Sequence, residues 1–218
     1  MIKGVIFDFD GLVVDSEYIS FESYRDFLEN YDIEFTKEDY ITYCPGKQLM
    51  TTLNFFKEHY HLDIDIEKAS LYFKEREQYY MDKDGVSLKK GIKELLDYLR
   101  NQNIHICLAT SSVKERAMNI LQEHHLDCYF DAFVFGGEVK RGKPFPDVFL
   151  KACEKINVKP EEALVLEDSE AGIEASYSAK IRVICIPDMK QPDLEHRNMA
   201  VCVYPDLTYV KDYIELER

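Results

Sequence analysis

Residues 5–16 read VIFDFDGLVVDS: an apolar run ends at Asp8, Asp10 and Gly11 follow, and Asp15 comes soon after. Crowded carboxylates repel one another and lose hydration unless a cation sits among them or they move protons. Other stretches offer complementary groups. LATSS carries Thr110, Ser111 and Ser112 after an apolar run, RGKPFPD carries Lys143 ahead of a proline-started helical pattern, and ALVLEDS carries Glu167, Asp168 and Ser169 after another apolar run. Taken singly, each has an ordinary explanation: a helix cap, a solvated lysine, or acidic residues at a helix N-terminus. Taken together, they complement one another. Asp8, Glu167 and Asp168 supply hard oxygen ligands suited to Mg2+ held with a phosphate. Thr110, the amide of Ser111 and the ammonium of Lys143 supply donors and positive charge for phosphate oxygens.

These residues act together only if the fold brings them to one edge. From Gly85 onward, helical and strand patterns alternate. The periodicity predicts helices over Gly91–Asn101, Ser112–His124, Pro146–Asn157 and Glu170–Ala179. It predicts strands over Ile104–Ala109, Ala132–Phe135, Ala163–Leu166 and Val183–Ile186, with Val201–Val203 as a last edge strand. Ser112, with Glu115 three residues on, is expected to open its helix as a capping box. Strands separated by helices imply a parallel sheet covered on both faces, with ligands at the carboxyl ends of the strands. Residues 16–83 differ in character, with aromatic and charged residues at helical spacing and a turn at Cys44-Pro45-Gly46. Phe21, Tyr24, Phe27, Leu28, Leu49, Leu53, Phe56, Leu71, Phe73 and Tyr80 are expected to form the core of a helical bundle. The expected fold is therefore α/β: a Rossmann-like parallel-sheet core made by residues 1–15 plus 84–218, with an inserted α-helical cap domain, 16–83, over the sheet's carboxyl edge.

The composition narrows the function classes. The chain has 218 residues and a formal net charge of −14, which opposes nucleic acid, whose binding needs clustered Lys and Arg. An anionic substrate must be recruited by a local cation such as Lys143. No apolar run approaches the ~20 residues of a membrane span, and charge interrupts the first ten residues too early for a secretion signal. A cytoplasmic monomer is expected. The six cysteines form no CxxC pair and are expected to be reduced thiols, with Cys107 and Cys185 as core fillers.

FDFDGLVVDS, LATSS, GKP and LEDSEAGIEA, in that order and spacing, resemble the motifs of the haloacid dehalogenase superfamily. The helical stretch after the first motif resembles the cap of its beta-phosphoglucomutase-like subgroup. One departure is Lys180, where relatives often carry glycine at a helix end. The resemblance implies that Asp8 is a nucleophile forming an aspartyl phosphate. It implies that Asp10 protonates the leaving oxygen and then activates water. Mg2+ is implied on Asp8, Asp168 and the main-chain oxygen of Asp10, with Glu167 helping directly or through water. Lys143, Thr110, Ser111 and Ser112 are implied to hold the transferring group, while Gly11 turns the chain away. Asp15 and Ser16 fit either a hinge into the cap or a turn and helix cap. Haloalkanoate and phosphonate cleavage in such proteins lack the second aspartate, and Asp10 is present. The implied activity is a Mg2+-dependent phosphatase of a small phosphorylated metabolite, with a beta-phosphoglucomutase as the alternative. A non-catalytic binder of the same fold would not need both a nucleophile and an acid.

The cap sets the substrate, and Lys47, in the loop at 43–48, is a candidate to meet a second anionic or hydroxyl group. Counted without gaps, the mutases' cap histidine falls on Ser20 and their following arginine on Leu49. Serine cannot switch charge as imidazole does, and leucine offers no grip for a second phosphate. Water is therefore the expected acceptor.

Overall fold

In the computed structural model, residues 1–44 and 49–217 are described. In chain order they form β1 (Gly4–Phe7), β2 (Val14–Asp15), α1 (Glu17–Glu29), α2 (Lys37–Tyr43), α3 (Leu49–His59), α4 (Ile66–Asp84), β3 (Ser87–Leu88) and α5 (Ile92–Asn101). There follow β4 (His105–Thr110), α6 (Lys114–Glu123), β5 (Ala132–Phe135), α7 (Asp147–Lys155), β6 (Ala163–Glu167) and α8 (Glu170–Ser178). The chain continues through β7 (Arg182–Cys185), α9 (Leu194–Met199), β8 (Cys202–Val203) and α10 (Val210–Leu216). The chain divides into two compact units, one of Met1–Val14 with the chain from Leu88 onward, the other of Asp15–Ser87.

The first unit is built on a six-stranded sheet in the order β5-β4-β1-β6-β7-β8, every neighbouring pair parallel. All residues of β1 and β6 are buried, the apolar runs as strands covered on both faces must be, and Glu167 at the end of β6 with them. Chain order reverses at β1, which pairs with β4 on one side and β6 on the other. In such sheets the crevice at the reversal, outside the strands' carboxyl ends, is where ligands bind. The register Phe7↔Leu108 and Phe7↔Leu166 brings the residues after β1, β4 and β6 to one level. One face is covered by a continuous core in which Ile6, Cys107, Val134, Phe149, Val165 and Ile173 are buried. Cys107 and Cys185 have no exposed surface, as expected of core thiols, and burial pushes both thiols up to about 12.

The second unit holds α1 to α4. Its core is aromatic: the Tyr24 ring lies 4.3 Å from Phe73 and 5.4 Å from Phe56, centroid to centroid. Tyr24, Phe27, Leu28, Leu53, Phe56, Phe73 and Tyr80 are buried as their spacing predicts. Phe21 and Leu49 are only half-buried, and Leu71 is 61% exposed. On α4 the buried residues are Ala69, Phe73 and Tyr80, and Leu71 stands two residues from the first pair, about 200° round the helix.

Two helix ends depart from ordinary chemistry. Lys180, just beyond α8, has a φ of 59°, so it occupies the left-handed position where glycine is common. The capping box expected at Ser112 does not form: α6 begins at Lys114 behind Val113, which makes no side-chain cap bond. No described helix is long and apolar enough to cross a membrane.

Candidate active site

The amide of Asp8 donates to the carbonyl of Leu166 at 3.0 Å, so the β1–β6 ladder runs one residue past the strand and holds Asp8 at its carboxyl edge. Past Asp8 the chain reverses tightly: the amides of Val13 and Val14 both donate to the Phe9 carbonyl, at 2.9 and 3.1 Å. Gly11 takes a φ of +78° in this turn, and a Cβ there would clash with the Asp168 carboxylate. The turn thus sets the first motif directly against the end of β6.

The Lys143 ammonium bridges Asp8 Oδ1 and Glu167 Oε1. Its side chain is only 8% exposed, which overturns the ordinary expectation of a solvated loop lysine. The second oxygen of Glu167 accepts from the amides of Asp168 and Ser169, each at 3.0 Å, and from the Ser169 hydroxyl at 2.9 Å. Ser169 in turn accepts from the Gly172 amide at 3.1 Å and caps α8. A Cβ at Gly172 would fall on the Glu167 carboxylate, so the glycine of LEDSEAGIEA makes room for a buried acid.

Asp8 is pushed up to about 7: burial raises it most, Lys143 pulls against this, and Glu167 and Asp10 add to the rise. Burial also works against the Lys143 ammonium, but Asp8 and Glu167 outweigh it and hold that group above its ordinary value. Asp8, Glu167 and Asp168 bring oxygens within 4.8 Å of one another. Three carboxylates gathered so closely around one ammonium offer the oxygen donors that suit a hard divalent cation.

On the other side of Asp8, β4 ends at Thr110, 1% exposed, whose hydroxyl oxygen accepts from the Ser112 amide at 2.9 Å. That bond leaves the hydroxyl proton to donate. The Ser112 hydroxyl donates to Asp10 Oδ2 instead of capping α6. Arg116, in the first turn of that helix, donates to Asp10 Oδ1 at 2.7 Å and to the Ser112 oxygen at 3.0 Å.

Asp8, Asp10, Gly11, Thr110, Ser112, Lys143, Glu167 and Asp168 therefore meet at one sheet edge, with Ser111 directly after β4. Lys47 lies outside the described residues. Sequence reasoning missed Arg116, whose only local sign was its place in the helix after LATSS. It also missed Asp188, beyond β7, which pairs with Lys89 at 2.7 Å and approaches Gly11. The Pro-Asp after an apolar run was a signal for Asp188; Lys89 had none.

A nucleophile-capable carboxylate, a second carboxylate beyond a two-residue step, a buried ammonium and an acidic cluster stand at the ends of adjacent parallel strands. The family model for haloacid dehalogenase-like hydrolases matches residues 5–186. The chain belongs to that family. Among its relatives is a phosphorylated carbohydrates phosphatase of Thermotoga maritima, 35% identical over 84% of each chain. A beta-phosphoglucomutase of Bacillus subtilis is 32% identical over 82% of this chain and 80% of its own. The crystal structure of a beta-phosphoglucomutase from Clostridium difficile shares the fold, with a TM-score of 0.80 at 24% identity over 100% of this chain and 97% of its own. This haloacid dehalogenase-like hydrolase is thus an enzyme of the phosphohydrolase type.

Proposed function

We propose that the enzyme is a Mg2+-dependent phosphatase of small phosphorylated carbohydrates that works through an aspartyl phosphate on Asp8. The observation that carries this is the buried cluster in which Lys143 bridges Asp8 and Glu167 beside Asp168. Asp8 and Asp168, with the main-chain oxygen of Asp10, would hold the Mg2+. Glu167, whose oxygens already accept from Lys143, Ser169 and two amides, anchors the ammonium and α8. Bound there, Mg2+ offsets the negative charge of the cluster and of the phosphoryl oxygens.

In the first step an oxygen of Asp8 attacks phosphorus in line with the leaving oxygen. As the bond to the leaving oxygen breaks, its electron pair stays on that oxygen, which takes a proton from Asp10. Lys143, the Thr110 hydroxyl and the Ser111 amide hold the phosphoryl oxygens. In the second step water gives a proton to Asp10 and attacks the phosphorus, releasing inorganic phosphate and restoring the Asp8 carboxylate.

The similarity to a beta-phosphoglucomutase favours a sugar as the alternative acceptor. Against it stand Ser20, whose hydroxyl donates to Glu77 at 3.4 Å, and Leu49 at the start of α3, in place of a histidine and an arginine. The test is a panel of phosphorylated metabolites assayed for free phosphate, with beta-glucose 1-phosphate plus a trace of glucose 1,6-bisphosphate among them. Phosphate release that dominates for a carbohydrate phosphate is the expected result. Glucose 6-phosphate forming many times faster than phosphate would replace the phosphatase with the mutase.

A further inference from the structure

The triangle of Asp10, Ser112 and Arg116 gives one guanidinium nitrogen a double task. It donates to Asp10 Oδ1 at 2.7 Å and to the Ser112 oxygen at 3.0 Å, while the Ser112 hydroxyl donates to Asp10 Oδ2. Both oxygens of Asp10 are thereby fixed in position. The Arg116 side chain is 21% exposed and that of Asp10 28%, so both stay partly open to the crevice. Asp10 sits in a tight turn in which neighbouring amides bond back to Phe9, so its backbone is set, and its side-chain rotamer is set by Ser112 and Arg116. Arg116 stands on the first turn of α6, directly behind the loop Thr110–Ser112 that the proposed mechanism uses for the phosphoryl group.

We infer that Arg116 is a positioning residue for proton transfer: through Asp10 and Ser112 it aims the Asp10 carboxyl at the leaving oxygen. Arg116 touches neither phosphorus nor the leaving group, and its effect is confined to the step in which the leaving oxygen takes its proton. This rests on the proposed role of Asp10 as general acid, and it adds a residue that the shared motifs do not contain.

The experiment compares kcat/KM for p-nitrophenyl phosphate and phenyl phosphate, both with Mg2+ present. kcat/KM covers the steps through formation of the phosphoenzyme. Nitrophenolate departs with little need of a proton, whereas phenolate, the stronger base, needs one more. The readout is the ratio of phenyl to p-nitrophenyl kcat/KM. In Arg116→Met and Arg116→Ala this ratio falls by about tenfold or more, within the range general acids supply. A helix or loop that had merely loosened would slow both esters alike and leave the ratio constant. A constant ratio in the variants that fold, judged by circular dichroism, therefore overturns the inference. Asp10→Asn is measured beside them. If its ratio falls and that of the Arg116 variants does not, the positioning role alone is wrong. If its ratio also stays constant, Asp10 is not the acid, and the proposed mechanism fails together with the role of Arg116.

Discussion

At the scale of single residues, the site depends on a glycine as much as on its acids. Gly172 has no side chain, and the Glu167 carboxylate occupies the space a Cβ would take. Glu167 cannot retreat easily, because it is fully buried and bonded to Lys143, Ser169 and two amides. Gly172→Ala is therefore expected to cost about 1–3 kcal/mol, as overpacking does. By displacing the carboxylate that anchors Lys143, it should also lower kcat at least about tenfold, a barrier change of about 1.4 kcal/mol. Gly137→Ala is the control, since a Cβ there meets nothing within 4 Å; it should stay within about 0.5 kcal/mol of the parent. Urea denaturation and steady-state assays of the pair check this, and equal behaviour of the two variants would contradict it.

At the scale of elements, one acid ties the start of β5 to β4. Asp131 Oδ2 accepts from the Ile106 amide at 2.9 Å, its own amide donates back to the Ile106 carbonyl at 2.8 Å, and Oδ1 accepts from Arg100 at 2.6 Å. Burial works against the charged carboxyl, but the Ile106 amide and Arg100 outweigh it and lower its pKa. A lowered carboxyl favours the ionised native state, so its contribution is complete above the unfolded value near 3.8 and is lost as pH falls through the folded value. Arg100 is 41% exposed, which limits that half of the interaction. Asp131→Asn should cost about 1 kcal/mol at neutral pH, and the gap between variant and parent should close on acidification below the unfolded value. Denaturation at neutral and acid pH measures it; a gap that stays constant would remove the charge from the explanation.

At the scale of the whole molecule, the chain carries a net charge of −14 and concentrates part of it in a buried cluster. If Mg2+ is held there by the native state, it must stabilise that state. At about a hundred times its Kd the gain is about 2.7 kcal/mol, which for chains of this size raises Tm by about 5–10 °C. Thermal unfolding with EDTA and with saturating Mg2+ should show that rise, and Asp168→Asn should abolish most of it. An unchanged Tm with Mg2+ in the parent would sink the metal assignment independently of any activity assay.

The order of elements, the parallel sheet and the gathering of Asp8, Asp10, Thr110, Lys143 and Asp168 at one sheet edge were legible in the sequence. Apolar runs, helical periodicity and strand-end residues are local signals that survive without the fold. The helix start at α6 was misplaced for the same reason: Ser112 has the residue type and spacing of a cap, yet its hydroxyl is engaged by Asp10, 102 residues away in the chain. Leu71 matched a helical pattern whose buried face only the neighbouring helices could select. The bridging position of Lys143, the need for glycine at 172, the Lys89–Asp188 pair and the grip of Arg116 on Asp10 belong to tertiary structure alone. The Lys143 bridge, the Lys89–Asp188 pair and the grip of Arg116 join groups distant in sequence, and desolvation makes their mutual charges count, while Gly172 meets Glu167 across the short turn into α8.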